Sequence, residues 1–179
     1  MIDFDPKIEA LLAKRQLMLI GEVNGHSQEM ITAGIIYLNA LGNEPIQLFI
    51  DSCGGMANLG LLICDAIQNS YAPIHGIVTG FAASMAFFIL QACHQRLAYR
   101  HAKLTIHGMD LSGVRIDDPH LQQKMEEIQR LFDDAVNMTS ERSGQATKKI
   151  KELAAAETRF TAQEAKELNL LDEIIQIQL

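Results

Sequence analysis

The segment Ile74-His75-Gly76-Ile77-Val78-Thr79-Gly80-Phe81-Ala82-Ala83-Ser84-Met85-Ala86-Phe87-Phe88-Ile89-Leu90-Gln91 passes through three local patterns in succession. Ile74 to Thr79 is β-branched and apolar, as in a buried strand. Gly80, Ala82 and Ala83 then make a small-residue turn, and the apolar run from about Ala83 to Ala92 reads as a helix. Gly76 to Cys93 carries no charge and approaches the length of a membrane span. Gly76, Thr79, Gly80 and Ser84 interrupt its first half, so buried strand, turn and buried helix are expected in a soluble protein. A sharp strand-to-helix turn exposes the Ser84 oxygen, its small neighbours let a substrate approach, and the free N–H groups of the first helical turn can stabilise developing negative charge. A serine in a small-residue turn is more commonly a helix cap.

Outward from that segment, short β-rich runs alternate with helical patterns, the mark of an α/β fold. Toward the N-terminus the sequence predicts a helix over 5–14, a strand over 16–20, and a helix to about Leu41 with Ser27 as N-cap. A strand over 46–50 leads into a tight loop, Asp51-Ser52-Cys53-Gly54-Gly55, and a helix from Met56 to about Asn69. Toward the C-terminus, 96–99 and 103–107 read as extended. Asp118-Pro119 reads as an N-cap followed by Pro at the first helical position. Leu121, Met125, Ile128, Phe132, Ala135 and Met138 then recur at three- and four-residue steps along a long, otherwise charged helix. That helix either projects from the body to meet another subunit or packs as a core helix. A helix over 145–155, a capping box at Thr161 and Glu164, and a strand over 172–177 complete a single domain spanning 1–179.

Composition narrows the partners. Of 179 residues, 48% are hydrophobic and 21% charged, and the formal net charge is −7. Nucleic acid and anionic membranes attract clustered Lys and Arg, so neither is expected as a partner. Three cysteines, Cys53, Cys64 and Cys93, form no metal-like spacing and no even disulfide set. Met1 to Asp5 lacks the basic-then-apolar order of a signal peptide. A reducing, cytoplasmic location is expected, with no cofactor and no metal.

A serine hydroxyl attacks well only when a base removes its proton, and imidazole suits that near neutral pH. His107 ends the run Lys103-Leu104-Thr105-Ile106-His107. Gly54-Gly55 follows the 46–50 strand and permits unusual backbone angles with unobstructed amides. Each feature taken singly has a commoner structural role: a histidine bonded to a carbonyl, and a plain βα turn.

Together these segments resemble the proteolytic subunit of the Clp protease (ClpP) family across nearly the whole chain. The family's Ser-Pro-Gly-Gly loop stands here as Ser52-Cys53-Gly54-Gly55, and its Gly-x-Ala-Ala-Ser-Met motif as Gly80-Phe81-Ala82-Ala83-Ser84-Met85. Its Met-Ile-His-Gln-Pro strand stands as Thr105-Ile106-His107-Gly108-Met109. Its Asp-Arg-Phe segment and the helix after it stand as Thr158-Arg159-Phe160-Thr161-Ala162-Gln163-Glu164-Ala165. The resemblance implies a ClpP/crotonase-like α/β spiral of βαβ units with a protruding helical handle over about 108–142. It implies homo-oligomeric stacked rings around a chamber, polypeptide substrates, and a ring-shaped ATPase partner. It assigns Ser84 as nucleophile, His107 as base, the Gly54 and Met85 N–H groups as oxyanion hole, and Gly55 and Met56 to the strand that binds substrate.

Four departures modify that picture. Thr158 stands where the family has its triad Asp, and threonine cannot hold negative charge against the imidazole. Glu157 is the possible replacement acid, although consecutive residues of an extended segment face opposite ways. Cys53 replaces a proline, and Gly108-Met109 replaces Gln-Pro. The short segment before the first helix leaves no room for axial loops, which stands against docking of the ATPase. Alternatives are a catalytically silent ClpP-like subunit of a mixed ring, a crotonase-type acyl-CoA enzyme, and a membrane-associated peptidase with a Ser–Lys dyad through Lys103. Retention of both Ser84 and His107 favours a serine-type endopeptidase.

Overall fold

Strands that alternate with helices pair in parallel, because each helix carries the chain back across the sheet. The structure, a computed structural model, describes residues 6–108 and 117–176. The first half runs α1 (Pro6–Ala13), β1 (Gln16–Val23), α2 (Gly25–Leu41), β2 (Ile46–Gly55), α3 (Ala57–Gln68), β3 (Ile74–Ala83) and α4 (Met85–Ala92). The second runs β4 (Gln95–Tyr99), β5 (Lys103–Thr105), α5 (Leu121–Ser143), α6 (Thr147–Ala155), β6 (Arg159–Thr161), α7 (Ala162–Glu167) and β7 (Glu173–Ile175). Strands β1-β2-β3-β4-β7 lie in that order and pair in parallel, while β6 pairs antiparallel with β5. This is a mixed α/β, mostly parallel sheet, as the alternation predicts.

The 74–91 segment organises the core. Every residue of α4 is buried, as expected for a helix that is apolar on all sides. It meets Leu48, Ile50 and Ile74 from the strands and Ile63 and Cys64 from α3 in one apolar cluster. The uncharged run of 76–93 is therefore a strand and a helix inside that core. Among the described residues, no helix is long and apolar enough to cross a membrane.

Strand β3 has two partners. His75 to Val78 pair with Gln95 to Ala98 of β4, and Phe81 to Ala83 pair with Lys103 to Thr105 of β5. The sheet thus splits beside the turn into α4, which brings β5 to Ser84.

Several boundaries differ from the sequence expectation. The tight 51–55 loop is the second half of β2, whose pairing slips between Ile50 and Ser52 against β3. Against β1 the pairing skips Cys53, between Gly21–Ser52 and Glu22–Gly54, and such a bulge lets a strand bend without ending. The cap of α2 is Asn24, and Ser27 is its reciprocal partner at the third helical position. Helix α5 starts two residues later than Pro119, with Asp118 accepting the His120 N–H at 2.8 Å. Strand β6 is too short for a periodic signal. The Thr161–Glu164 capping box opens α7 as predicted.

Packing along α5 is uneven. Its buried residues are Ala135, Val136, Thr139 and Ser143, all in the C-terminal half, while Met125 of the apolar stripe is exposed. The first half of the expected handle includes residues 109–116, which lie outside the described residues.

A buried ionic knot ties the far end of the sheet together. Arg96 on β4 is fully buried and bonds Asp172 Oδ1 at 2.6 Å and Gln91 Oε1 at 2.8 Å, while Asp172 also receives Arg142 from α5. Burial alone would raise the Asp172 pKa. The side-chain and backbone hydrogen bonds from Arg96, with the Arg96 and Arg142 charges, outweigh it and hold that pKa below the usual carboxylate value.

Candidate active site

Two backbone pairings assemble the site. Ala83 sits beside Thr105 in the β3–β5 register, and the Ser84 N–H donates to the Thr105 carbonyl at 3.0 Å. His107 lies two residues beyond Thr105, on the same side of the extended chain. Ser84 and His107 line one cavity of about 620 Å³ together with Gly55, Met56 and Met85.

Ser84 stands at the N-cap position of α4, but its side chain does not cap the helix. It precedes α4 with φ 55 and ψ −125, and its side chain makes no capping hydrogen bond. L-residues avoid this left-handed region, which costs of order 1–3 kcal/mol when the surroundings impose it. Here the Thr105 carbonyl on one side and the buried α4 on the other impose it. The Met85 N–H begins α4, so no carbonyl of that helix is available to it.

The Gly54 amide departs from expectation. It donates to Ser52 Oγ at 3.1 Å, and that hydroxyl donates to the Gly21 carbonyl at 2.6 Å. Ser52 is fully buried, so its hydroxyl must be satisfied inside the protein. The Gly54 Cα itself lies against the nucleophile turn. A Cβ there would stand 2.6 Å from the Ala83 carbonyl oxygen, 2.7 Å from Ser84 Cβ and 2.8 Å from the Met85 nitrogen. With φ at +89, only glycine fits. Gly55 pairs with Val23, and the Met56 N–H donates to the Val23 carbonyl at 2.9 Å. The Met56 amide is therefore committed to β1.

Neither Glu157 nor Thr158 bonds His107 through its side chain among the described residues. Glu157 and Thr158 close α6 in a Schellman arrangement, with Glu157 N–H to Ala154 O at 3.1 Å and Thr158 N–H to Leu153 O at 3.1 Å. Glu157 takes the left-handed position, φ 48, and its side chain is exposed. The Thr158 hydroxyl donates to the Leu153 carbonyl at 2.7 Å. His107 Nδ1 instead meets the Gly108 carbonyl oxygen at 2.5 Å. A carbonyl only accepts, so Nδ1 is the donor in this contact, which in a neutral ring leaves Nε2 as the acceptor. The sequence offered no signal for a backbone group at this nitrogen.

Two further groups escaped the sequence reading. Lys124 and Glu127 of α5 line the wall that faces Ser84, beside Ile128, Leu131 and Phe132. Lys103, considered for a Ser–Lys dyad, sits instead in a separate depression with Phe81 and Arg159. Cys64 and Cys93 are buried, and burial pushes the Cys93 thiol up to about 12, so neither is a nucleophile.

A family model described as Clp protease matches residues 4–178. The chain belongs to the Clp protease family, and its fold is the family's α/β fold. Membership supports a ClpP-like peptidase, with polypeptide as the substrate class and assembly into oligomers.

Glycine is expected to be the better residue at 157. Glu157→Gly relieves the left-handed strain and should raise stability by about 1 kcal/mol in urea unfolding. Peptide hydrolysis should persist, since the carboxylate has no bond to His107. Lost hydrolysis in a stabilised variant would identify Glu157 as the acid after all.

Proposed function

We propose that this chain is a serine-type endopeptidase in which Ser84 is the nucleophile and His107 the general base, with a backbone carbonyl in place of the triad carboxylate. The observation that carries the reading is the Ser84 turn. Its strained backbone presents a hydroxyl that caps nothing into the cavity that His107 also lines. Strain held at a turn with no structural use for the side chain points to chemistry.

The steps follow from the groups present. Ser84 Oγ attacks the scissile carbonyl while His107 Nε2 takes its proton, and the same nitrogen later protonates the leaving amine. The Met85 N–H faces the developing oxyanion, and Gly54 joins it when its amide is shared between Ser52 and the substrate oxygen. Ser84 and His107 make no direct hydrogen bond among the described residues, and catalytic hydrogen bonds of this kind commonly tighten in the Michaelis complex. Where an amide replaces a triad carboxylate, the wrong imidazole tautomer costs about 10⁴-fold. The Gly108 carbonyl fixes the productive tautomer and avoids that loss. It lacks the full charge that stabilises imidazolium, so reduced turnover is expected.

Homo-oligomeric stacked rings would enclose the cavity, restrict hydrolysis to peptides and unfolded polypeptides, and suit a cytoplasmic protein. A catalytically silent subunit would have no use for the Ser84 strain. Labelling the assembled protein with a fluorophosphonate tests the reading. One adduct per chain, mapped to Ser84, is expected. An assembled protein that remains unlabelled overturns it in favour of the silent subunit.

A further inference from the structure

The wall opposite Ser84 belongs to α5, and its chemistry is uneven. Ile128, Leu131 and Phe132 are apolar and meet Met85 and Phe88 across the cavity. Two charged residues, Lys124 and Glu127, join them on the lining. The lysine is already engaged: its ammonium pairs with Asp118 at 2.5 Å. That contact, with the His120 N–H, holds the Asp118 carboxyl below its usual range. Glu127 has no ion pair or hydrogen bond through its side chain among the described residues. Among the described residues the cavity therefore presents an apolar surface and one carboxylate, Glu127, without a side-chain partner.

We propose that Glu127 makes this cavity selective for peptides carrying a long cationic side chain, arginine or lysine, on the acyl side of the scissile bond. The proposal rests on the serine-peptidase reading of the same cavity. Arginine and lysine have apolar stems and charged heads, which match Phe88, Ile128 and Leu131 along the wall and Glu127 at its end. An acidic side chain would meet the same carboxylate and be rejected. A neutral straight chain such as norleucine would gain the apolar contact alone. At a solvated site the charge term is modest and screened, so the preference should shrink as salt rises.

Two measurements separate this proposal from the reading beneath it. In Ser84→Ala protein, binding of fluorescent peptides is compared for arginine, norleucine and glutamate at the acyl-side position. Arginine is expected to bind roughly two- to fivefold tighter than norleucine, and glutamate weakest. Glu127→Gln should reduce the arginine-to-norleucine ratio to near one, and Glu127→Lys should invert the order of arginine and glutamate. Turnover of the same peptides by protein with Ser84 intact gives the second ratio, expected to move in parallel. Equal binding of the three peptides, or a preference that survives Glu127→Gln, overturns the proposal. A Glu127-dependent preference without Ser84-dependent turnover supports it and counts against the peptidase reading alone.

Discussion

Ser84→Ala should abolish measurable peptide hydrolysis while leaving the fold and assembly intact. Its size is informative. Removing the nucleophile from a complete triad costs about 10⁶-fold in kcat, whereas losing the carboxylate alone costs a few times 10⁴. If the Gly108 carbonyl does nothing for His107, only about 10²-fold separates the intact protein from Ser84→Ala. If it positions the imidazole well, the gap widens toward 10⁶. Stability should move differently. Ser84 forms no capping bond, so its hydroxyl contributes little to folding, and alanine at φ 55 is as strained as serine. Ser84→Gly removes the strain and should raise stability by roughly 1–3 kcal/mol while being equally inactive. Thermal unfolding of the three proteins, with peptide assays, checks both halves. Undiminished turnover by Ser84→Ala sinks the nucleophile assignment. A glycine variant less stable than the parent would mean that the surroundings do not impose the turn.

That opposition between stability and activity explains which features were legible in sequence. The strand, turn and helix of 74–92 could be read because their apolar periods change abruptly and Ser84 falls at the junction. The pairing of Ser84 with His107 could not be read from those periods, because it depends on β3 leaving β4 for β5 midway along its length. Family resemblance supplied the pairing as an expectation, and the β3–β5 register is what sets both residues on one cavity. Residues 51–55 read as a loop because glycine signals a break in a strand, yet β2 runs on through them with Cys53 bulged against β1. The acid position was the least legible. Side-chain identity at 157 and 158 invites a choice between two residues, while the bond to Nδ1 comes from a backbone carbonyl that no sequence pattern marks. Lys124 and Glu127 were hidden for another reason: charges on a long amphipathic helix ordinarily face solvent, and only the placement of α5 turns them toward Ser84.

Gly54→Ala should be a severely damaging single-methyl change. The added carbon would stand 2.6 Å from the Ala83 carbonyl oxygen and 2.8 Å from the Met85 nitrogen, both backbone atoms with no rotamer to yield. Accommodating it requires β2 and the nucleophile turn to separate by several tenths of an ångström or more. A shift of about 1 Å in reacting groups can cost 10²-fold, and loss of one oxyanion donor costs about 10²–10³. The turn carries both Ser84 and the Met85 N–H, so a loss of about 10³-fold in kcat/KM is expected. Stability should fall as well, because φ +89 disfavours alanine. The control is Cys53→Ala on the adjacent exposed residue, whose thiol makes only long contacts to the Gly21 and Gly54 carbonyls. It should retain activity within a few-fold. Fluorophosphonate labelling rates on folded protein, at a temperature where both variants are native, separate lost chemistry from lost structure. If Gly54→Ala labels at the parent rate while folded, the Gly54 contact merely packs the turn, and oxyanion stabilisation rests on Met85 alone.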